Sequence, residues 1–440
     1  MQNKFSDTYC YYAMQSFSSH PHGRSRPCCF SKVHTTTYMD GTDLEKYPAY
    51  QKDPNKFNKV DNITDFLNDP KLVEIRKDLL NGKRHEACND CWKLEDNGVK
   101  SFRQIQNEIH ELDKGFVKDD GTVYAQTVSY LDISLGNVCN LKCRSCNPWN
   151  SHGWLEEGKF LPSTDWDETA YIVGEMSCKK PWFVKAFNEG FFDAVLRHTK
   201  VINFLGGEPL VVKEHYDWLE HIVANGWSKN IELHYNTNAT TIPQRLLDIW
   251  DKFSGIVLAL SIDATKDLAY YVRYPSKWKV IEKNMTKLAD FSKNRKNIKV
   301  HTHVTLSLLN LHDLPNVLKW CEHQYNTWGY EDQWGVHGYQ NLIPHFNFVE
   351  WPRHLNICNL PLEQKIKANE MLDNLYNYYN ALSLKDWERP AIENIKGIKN
   401  ILNKSAHEGD WEIFKKNTIA SDKFRNLNIK DYIAWMEEYI

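Results

Sequence analysis

Three cysteines in one short loop constrain this chain more than any other feature. Cys139-x3-Cys143-x2-Cys146 follows the apolar run Val128–Leu135, and a Gly-Gly-Glu-Pro turn at 206–209 follows the next apolar run. Three thiolates can hold three irons of a [4Fe–4S] cluster. Because no fourth cysteine lies nearby in the sequence, the last iron would keep an open position, as catalytic metal sites do. The pattern therefore predicts a catalytic cluster at the end of a strand.

The bulk composition excludes several classes of protein. With 440 residues, the chain can bury a sizeable core and divide into two or three domains. A formal net charge of −3 gives no electrostatic footprint for nucleic acid. No stretch approaches the ~20 apolar residues of a membrane helix, and the N-terminal residues lack the apolar core of a signal peptide. We expect a cytoplasmic protein with neither nucleic acid nor membrane as a partner.

The cysteines are odd in number and bunched along the chain. Eleven are present, and this distribution favours metal ligation in a reducing compartment over disulfides. Cys178, Cys321 and Cys358 stand alone and are expected to be small buried apolar residues.

Beyond residue 124 the sequence alternates between short β-rich runs and helical segments. The predicted strands are Val128–Leu135, Val201–Leu205, Ile231–Thr237, Ile256–Ile262, Lys299–Leu306 and a sixth between His345 and Val349. The predicted helices are Pro70–Asn81, Trp182–Leu196, His215–Ala224, Gln244–Lys252, Trp278–Phe291 and Leu314–Glu322. Such alternation predicts a parallel sheet, because parallel neighbours need long crossover connections.

The predicted fold is therefore α/β, a partial (β/α)6 TIM-like barrel or an open sheet. We divide the chain into an irregular cysteine-bearing domain at 1–124, the barrel at 125–352 and a C-terminal helical extension at 353–440.

Polar groups follow five successive predicted strands. They are the cysteine triplet, the turn at 206–209, Asn236 to Asn238, Ser261 to Asp263, and Asn310. Parallel barrels place reactive groups at the carboxyl ends of their strands. We expect these side chains to meet at one mouth.

The triplet and the Gly-Gly-Glu-Pro turn resemble those of the radical S-adenosylmethionine (SAM) enzymes. The resemblance implies a [4Fe–4S] cluster whose open iron binds SAM, and reductive cleavage of SAM to a 5′-deoxyadenosyl radical that removes hydrogen from a substrate. It also implies a reducing electron donor such as flavodoxin or ferredoxin. A zinc site at the triplet is the alternative.

The same resemblance assigns roles to individual residues. Gly206 and Gly207 would let the backbone approach the methionine end of SAM, and Glu208, followed by Pro209, would accept a hydrogen bond from the SAM amino group. The other implied contacts are Ser261 with the ribose or carboxylate, Arg273 with the carboxylate, and Asn236 or Asn238 with the ribose.

Each of these roles has a structural alternative, a plain tight turn at 206–209 and a surface salt bridge for Arg273 among them. Many family members carry an aromatic residue just before the third cysteine, where this chain has Ser145. The adenine contact is therefore expected from elsewhere, such as Trp149 or the sixth strand.

The cysteines before the barrel form a second group. The spacing C-x12-G-x4-C from Cys10 to Cys28 and the pair Cys88-x2-Cys91 resemble a SPASM/twitch domain, as does the stretch Ala87–Gln104. The half-sized twitch version implies one auxiliary [4Fe–4S] cluster on Cys10, Cys28, Cys88 and Cys91, with Cys29 as the spare. A zinc site is the competing interpretation, because tetrahedral thiolate sites suit both metals.

The predicted function is that of a radical SAM enzyme, of oxidoreductase or transferase type, whose leading substrate is a peptide or protein, as for many SPASM/twitch relatives. Oxidation or epimerisation of a small molecule is the first alternative. A non-catalytic metal-binding scaffold is the second, although the intact turn at 206–209 argues against it. Fold and family analogy do not fix a substrate.

Overall fold

The computed structural model describes residues 6–21, 23–31, 33, 63–96, 98, 100–110, 117–163, 166, 168–179, 182–293, 295–328, 338–339, 342–383 and 389–440. None of the helices in these ranges combines the length and apolar character needed to cross a membrane.

The strands in the described ranges belong to two sheets. In chain order they are β1 Ser16–Ser19, β2 Ser25–Arg26, β3 Tyr130–Ser134, β4 Lys142–Cys143, β5 Val201–Leu205, β6 Glu232–Thr237, β7 Gly255–Ser261, β8 Arg273–Tyr274, β9 Ile298–Leu306, β10 Gly338–Tyr339 and β11 His345–Phe348.

The main sheet has the order β10-β9-β7-β6-β5-β3-β1-β2, and β11 also pairs with β9. Every pair in it is parallel except β1 with β2. This confirms the prediction of an α/β fold with a mostly parallel sheet, and all six predicted strands are present. Closure into a partial barrel stays a prediction. The second sheet is the short antiparallel pair β4–β8.

Helices connect the strands and form the C-terminal extension. They are α1 Tyr11–Gln15, α2 Ile63–Leu67, α3 Pro70–Leu80, α4 Asn89–Asp96, α5 Phe102–Ile109, α6 Trp154–Glu157, α7 Glu168–Lys179, α8 Trp182–Asn188, α9 Asp193–Leu196, α10 Glu214–Ala224, α11 Gln244–Trp250, α12 Lys266–Val272, α13 Trp278–Ser292, α14 Leu314–Trp328, α15 Leu362–Ala381, α16 Arg389–Leu402 and α17 Asp410–Arg425.

The single helix predicted over Trp182–Leu196 is instead two, α8 and α9. Between them Gly190 has a φ of +67°. That left-handed conformation ends an α-helix and favours glycine.

The strands bury alternate side chains, as half-buried strands do. On β5 and β6 the buried residues are Ile202, Phe204, Leu233, Tyr235 and Thr237, of which all but Thr237 are apolar or aromatic. The intervening positions on the same strands are only partly buried. One face of the sheet therefore packs into the apolar core, while the other carries polar side chains toward the predicted site.

The N-terminal cysteine-bearing segment joins the barrel sheet. Strand β1 pairs in parallel with β3, with Ser16 opposite Tyr130 and Ser18 opposite Asp132. Phe17 belongs to the same apolar cluster as the core of the sheet. The domain boundary at residue 124 stays a prediction, but β1 extends the sheet that follows it.

Candidate functional site

A cavity of about 330 Å³ lies where the polar residues follow the strands. Its lining includes every predicted cluster and SAM residue of the barrel except Pro209, which is buried at the start of the next turn. These residues are Cys139, Cys143, Cys146, Gly206, Gly207, Glu208, Asn236, Asn238, Ser261 and Arg273. The fold therefore brings these side chains together, whereas Asp263 and Asn310, expected at the same mouth, do not line the cavity. The roles assigned to the residues stay predictions.

The cysteine loop is held by backbone pairing. In the β4–β8 pair, Cys143 lies opposite Arg273. The Leu141 N–H donates to the Cys139 sulfur at 3.4 Å, and Arg273 Nη1 lies 3.8 Å from the Cys143 sulfur. Burial raises the pKa of all three thiols, that of Cys146 to about 12. Thiolates at these positions therefore need a positive partner, which a metal supplies.

The glycine turn packs directly on the backbone that leads into Cys139. The Gly207 N–H donates to the Gly136 carbonyl at 2.9 Å, and the Glu208 N–H to the Val138 carbonyl at 2.9 Å. A Cβ on Gly207 would lie 2.3 Å from the Val138 oxygen, and Gly206 has a φ of +121°. The two glycines thus allow a close approach to the cysteine loop, in addition to the approach to a cofactor that the resemblance implies.

The Glu208 carboxylate is buried and already accepts hydrogen bonds. Its oxygens accept from the Leu210 N–H at 3.0 Å, the Thr237 hydroxyl at 2.8 Å and the Asn238 N–H at 2.6 Å. Burial nevertheless raises its pKa to about 6, and these donors only partly offset that effect.

Asn238 connects the end of β6 with the cysteine loop. Its amide donates to Asn140 Oδ1 at 2.9 Å, and the Asn140 amide donates to the Thr240 hydroxyl at 2.7 Å. Neither Asn140 nor Thr240 was predicted from the sequence. The position of Asn140, directly after the first cysteine, was the available signal.

Arg273 is not the surface salt bridge considered as its alternative. Its Nε donates to Asp263 Oδ2 at 2.7 Å, and the two side chains are 14% and 1% exposed. The other Asp263 oxygen accepts from the Thr305 N–H at 2.8 Å, and Asn310 donates to the Asp263 carbonyl at 2.8 Å. Asp263 and Asn310, both singled out in the sequence, therefore position Arg273.

The C-terminal helix α17 supports the cysteine loop through buried ion pairs. Glu157 accepts from Arg425 Nε at 2.7 Å and pairs with Lys142 Nζ at 2.9 Å. Asp422 forms a buried ion pair with Arg144. Because Lys142 and Arg144 flank Cys143, two buried carboxylates fix the loop on both sides of that cysteine. The sequence analysis did not foresee these pairs.

A group of histidines on the partly buried face of the sheet was also missed. The rings of His301, His303 and His345 have centroids 4.9 to 5.5 Å apart. Burial lowers the pKa of His301 to about 3 and that of His303 to about 4. The alternation His301-x-His303 within β9 was the available signal.

Ser145 lines the first cavity, whereas Trp149 lines a second cavity beside it. The source of an adenine contact stays a prediction.

Four N-terminal cysteines lie close enough to influence one another. Cys10, Cys28 and the Cys88–Cys91 pair come from three separate segments. Burial raises the pKa of the Cys10, Cys28 and Cys88 thiols, that of Cys10 to about 12, and repulsion from the other cysteines of the group is a further reason. For Cys29, whose pKa burial also raises, Asp132 is the largest electrostatic neighbour. Among the described residues, no three His, Cys, Asp or Glu side chains are arranged to bind a single metal ion. In a cluster, by contrast, each thiolate binds a different iron.

The stretch that resembles a twitch domain forms one buried unit. Arg103 pairs with Glu95 at 2.7 Å and lies over the Trp92 ring at 4.9 Å. Ser101 donates to the same glutamate at 2.5 Å, and Arg103 Nη1 donates to the Tyr9 carbonyl at 2.7 Å. This unit therefore places the backbone just before Cys10.

The isolated cysteines behave mostly as expected. Cys321 and Cys358 are buried, and Cys178 is partly buried.

Comparison with known proteins bears on this site. Residues 133–321 match the model of the Radical SAM superfamily. GTP 3′,8-cyclase of Campylobacter lari (strain RM2100 / D67 / ATCC BAA-1060) is 28% identical over 167 residues, 37% of this chain and 41% of that protein. GTP 3′,8-cyclase of Sulfurovum sp. (strain NBC37-1) is 23% identical over 231 residues, 50% of this chain and 62% of that protein. These matches support membership of the radical SAM superfamily.

The match to the radical SAM model and the enzyme names of both relatives support the interpretation that the protein is an enzyme. The chain spans about half the length of these curated relatives. The superfamily implies a [4Fe–4S] cluster and SAM, whereas the twitch domain, the auxiliary cluster, the electron donor, the oxidoreductase class and the cytoplasmic location stay predictions.

Two solved structures show a weaker likeness. Streptococcus suis SuiB bound to S-adenosylmethionine aligns with a TM-score of 0.31 and 12% identity, over 71% of this chain and 62% of that chain. SuiB bound to the precursor peptide SuiA aligns with a TM-score of 0.27 and 14% identity, over 57% and 54%. Likeness at this level carries no argument about this chain.

Proposed function

We propose that this radical SAM enzyme holds a [4Fe–4S] cluster on Cys139, Cys143 and Cys146 and cleaves SAM reductively to abstract hydrogen from a substrate. The observation that carries the proposal is the single cavity lined by the three thiols, the glycine turn, Glu208 and Arg273. When bound, the cluster would supply the electron that splits a carbon–sulfur bond of SAM and yields a 5′-deoxyadenosyl radical.

The residues present suit the cluster. Thiolates are the usual protein ligands of iron–sulfur clusters. Arg273 and Arg425 both lower the pKa of Cys143, although burial raises it overall. The Leu141 N–H and the Arg273 guanidinium already point hydrogen-bond donors at two of the sulfurs, and such bonds stabilise anionic sulfur.

The two ends of the SAM amino-acid group would meet opposite charges. Glu208 and Arg273 both line the cavity, where Glu208 would accept from the amino group and Arg273 would donate to the carboxylate. Arg273 uses Nε on Asp263 and Nη1 on the Cys143 sulfur. A guanidinium has five N–H donors, so others stay available to the carboxylate. Ser261, Asn236 and Asn238 line the same cavity. We assign Ser261 to the ribose or carboxylate, and Asn236 or Asn238 to the ribose.

The auxiliary cluster would use Cys10, Cys28, Cys88 and Cys91. The mutual electrostatic effect of these thiols and their joint burial support this ligand set, and the association of Cys29 with Asp132 supports leaving Cys29 out. Such a closed site would serve electron transfer or shape the substrate pocket.

The substrate stays open between a peptide and a small molecule. The two relatives are named for action on GTP, but the chain matches only part of each. Transfer of deuterium from labelled candidate substrates into 5′-deoxyadenosine would separate the two classes, because the abstracted hydrogen ends in that product.

The test of the proposed function is reductive SAM cleavage by the anaerobically reconstituted full chain. With dithionite, we expect wild type to form 5′-deoxyadenosine, detected by chromatography and mass spectrometry. Cys143→Ala should form none, whereas Cys358→Ala, which changes a buried cysteine outside the cavity, should keep the activity. Undiminished product from Cys143→Ala would refute the proposal.

A further inference from the structure

A second cavity of about 390 Å³ adjoins the candidate SAM site. The two cavities share the lining residues Asn150, Leu205 and Gly206. A molecule in the second cavity would therefore lie beside the place where the proposed radical forms.

Arg26 and Ser134 line this second cavity, and each has a buried side-chain polar atom without a partner among the described residues. For Arg26, on β2, the atom is the side-chain Nε, whereas its backbone pairs with Ser18 on β1. The Ser134 hydroxyl, at the end of β3, is likewise buried without a partner among the described residues, and Ser134 is 3% exposed. Buried donors without partners are costly. Two of them facing one cavity indicate a ligand that accepts hydrogen bonds.

The charge of the lining favours an anion. Arg26 is the one Arg or Lys among the described residues that line this cavity, and no Asp or Glu is among them. The nearby Asp132 lies below Ser134 on β3, and its two oxygens already accept from Ser18 at 2.9 Å and from Asn203 at 2.9 Å. The Arg26 charge acts to lower the pKa of Asp132 and of the Cys28 and Cys29 thiols. None of these groups forms an ion pair or hydrogen bond with its side chain among the described contacts, so the guanidinium can still bind an outside partner.

The geometry points to a substrate carboxylate. A planar guanidinium binds the two oxygens of a carboxylate side by side, and one positive charge balances one monoanion. Leu205, Val173 and the Trp149 ring offer apolar surface for the rest of the molecule. We propose that the second cavity is the substrate subsite and that Arg26 and Ser134 bind a carboxylate of the substrate. The assignment of this cavity to the substrate rests on the proposed function, whereas the preference of the cavity for a carboxylate does not.

The test compares an acid with its uncharged amide. We would titrate 3-phenylpropionate and 3-phenylpropanamide into the reconstituted full chain with SAM present and measure both dissociation constants by calorimetry. The acid should bind about tenfold more tightly than the amide, as expected for a charge-assisted contact. Arg26→Gln should remove the preference for the acid, and Arg26→Lys should keep part of it. Ser134→Ala should weaken binding of the acid about two- to threefold. Arg24→Gln, a matched change outside the cavity lining, should leave the preference for the acid over the amide unchanged.

Several results would overturn the inference. These are equal binding of acid and amide, no measurable binding of the acid, loss of acid binding when SAM is added, or equal loss in Arg24→Gln and Arg26→Gln. Tighter binding of inorganic phosphate than of the acid would overturn the carboxylate assignment. Acid selectivity without SAM cleavage would refute only the proposed function, and SAM cleavage without acid selectivity would refute only this inference.

Discussion

The cysteine loop of the barrel and the N-terminal cysteine group reach similar burial by different routes. In the loop, Cys139, Cys143 and Cys146 fall within eight consecutive residues, and the thiols line one cavity. In the N-terminal group, thiols from residues 10, 28, 88 and 91 meet only because distant segments pack together.

The difference lies in what fixes each set. Strand β8, the glycine turn and Asn238 all contact the loop backbone or Asn140 within it. The N-terminal group depends on single long-range contacts, such as Arg103 and Asn107 on the Tyr9 carbonyl. The contiguous motif is thus positioned by several contacts to its own loop, whereas the dispersed cysteines are positioned only by contacts between distant segments. We expect the barrel site to load its metal without the N-terminal group.

The largest effect is expected when each set of cysteines is removed in turn, which tests whether the two sites load metal independently. Wild type should hold about eight irons, and both the Cys139/Cys143/Cys146→Ala variant and the Cys88→Ala/Cys91→Ala variant about four. Only the first should lose SAM cleavage completely, because only its cysteines line the SAM cavity. Iron analysis and 5′-deoxyadenosine assays check both statements.

Two outcomes would contradict this view. Loss of all iron from the N-terminal variant would show that the barrel site depends on it. About four irons with one zinc in wild type would assign zinc to the N-terminal group.

The same contrast explains what could be read from the sequence. The strands, the triplet and the turn are local patterns, so their meeting at one cavity was predictable from β/α alternation. The Arg144–Asp422 pair joins residues 278 positions apart. From the sequence alone, charged residues that form a buried pair cannot be told from charged residues on a solvent-exposed surface. Arg26 could not be singled out from the sequence, because its cavity exists only once β1 and β2 join the sheet.

The buried ion pair of the loop should matter more than a surface pair. Asp422→Asn would leave Arg144 buried without its counter-charge, and Tyr271 and the Ile429 N–H would lose a charged acceptor. We expect a loss of about 3–5 kcal/mol in the free energy of unfolding, measured by urea denaturation. The matched control is Lys367→Gln, because Lys367 and Glu363 are 56% and 55% exposed. It should change stability by less than about 0.5 kcal/mol. Equal effects would mean that α17 does not support the loop.

Close backbone contact at the glycine turn can be tested with two glycine-to-alanine substitutions, one in the turn and one at a site with free space, for which we expect opposite changes in stability. In Gly207→Ala the new Cβ would meet the Val138 carbonyl at 2.3 Å, a backbone atom that cannot move aside without shifting the loop. We expect a loss of about 1–3 kcal/mol in unfolding free energy together with reduced SAM cleavage. Gly397→Ala, within α16 and with nothing inside 4 Å of its Cβ, should gain up to about 1 kcal/mol. A neutral Gly207→Ala would disprove the tight packing of turn on loop.

The smallest effect expected is on the pH dependence of SAM binding. Burial raises the pKa of Glu208 to about 6, while the Asn238 N–H and the other donors act in the opposite direction. Only the ionised carboxylate accepts from the SAM ammonium group, so this contribution is present above the raised pKa and lost as the pH falls through it. SAM affinity should therefore rise about fourfold from about pH 5.5 to about pH 7 in equilibrium binding. Glu208→Gln should bind more weakly with a flat profile, because an amide does not titrate. The same pH dependence in Glu208→Gln would transfer the titration to another group and remove Glu208 from the amino contact.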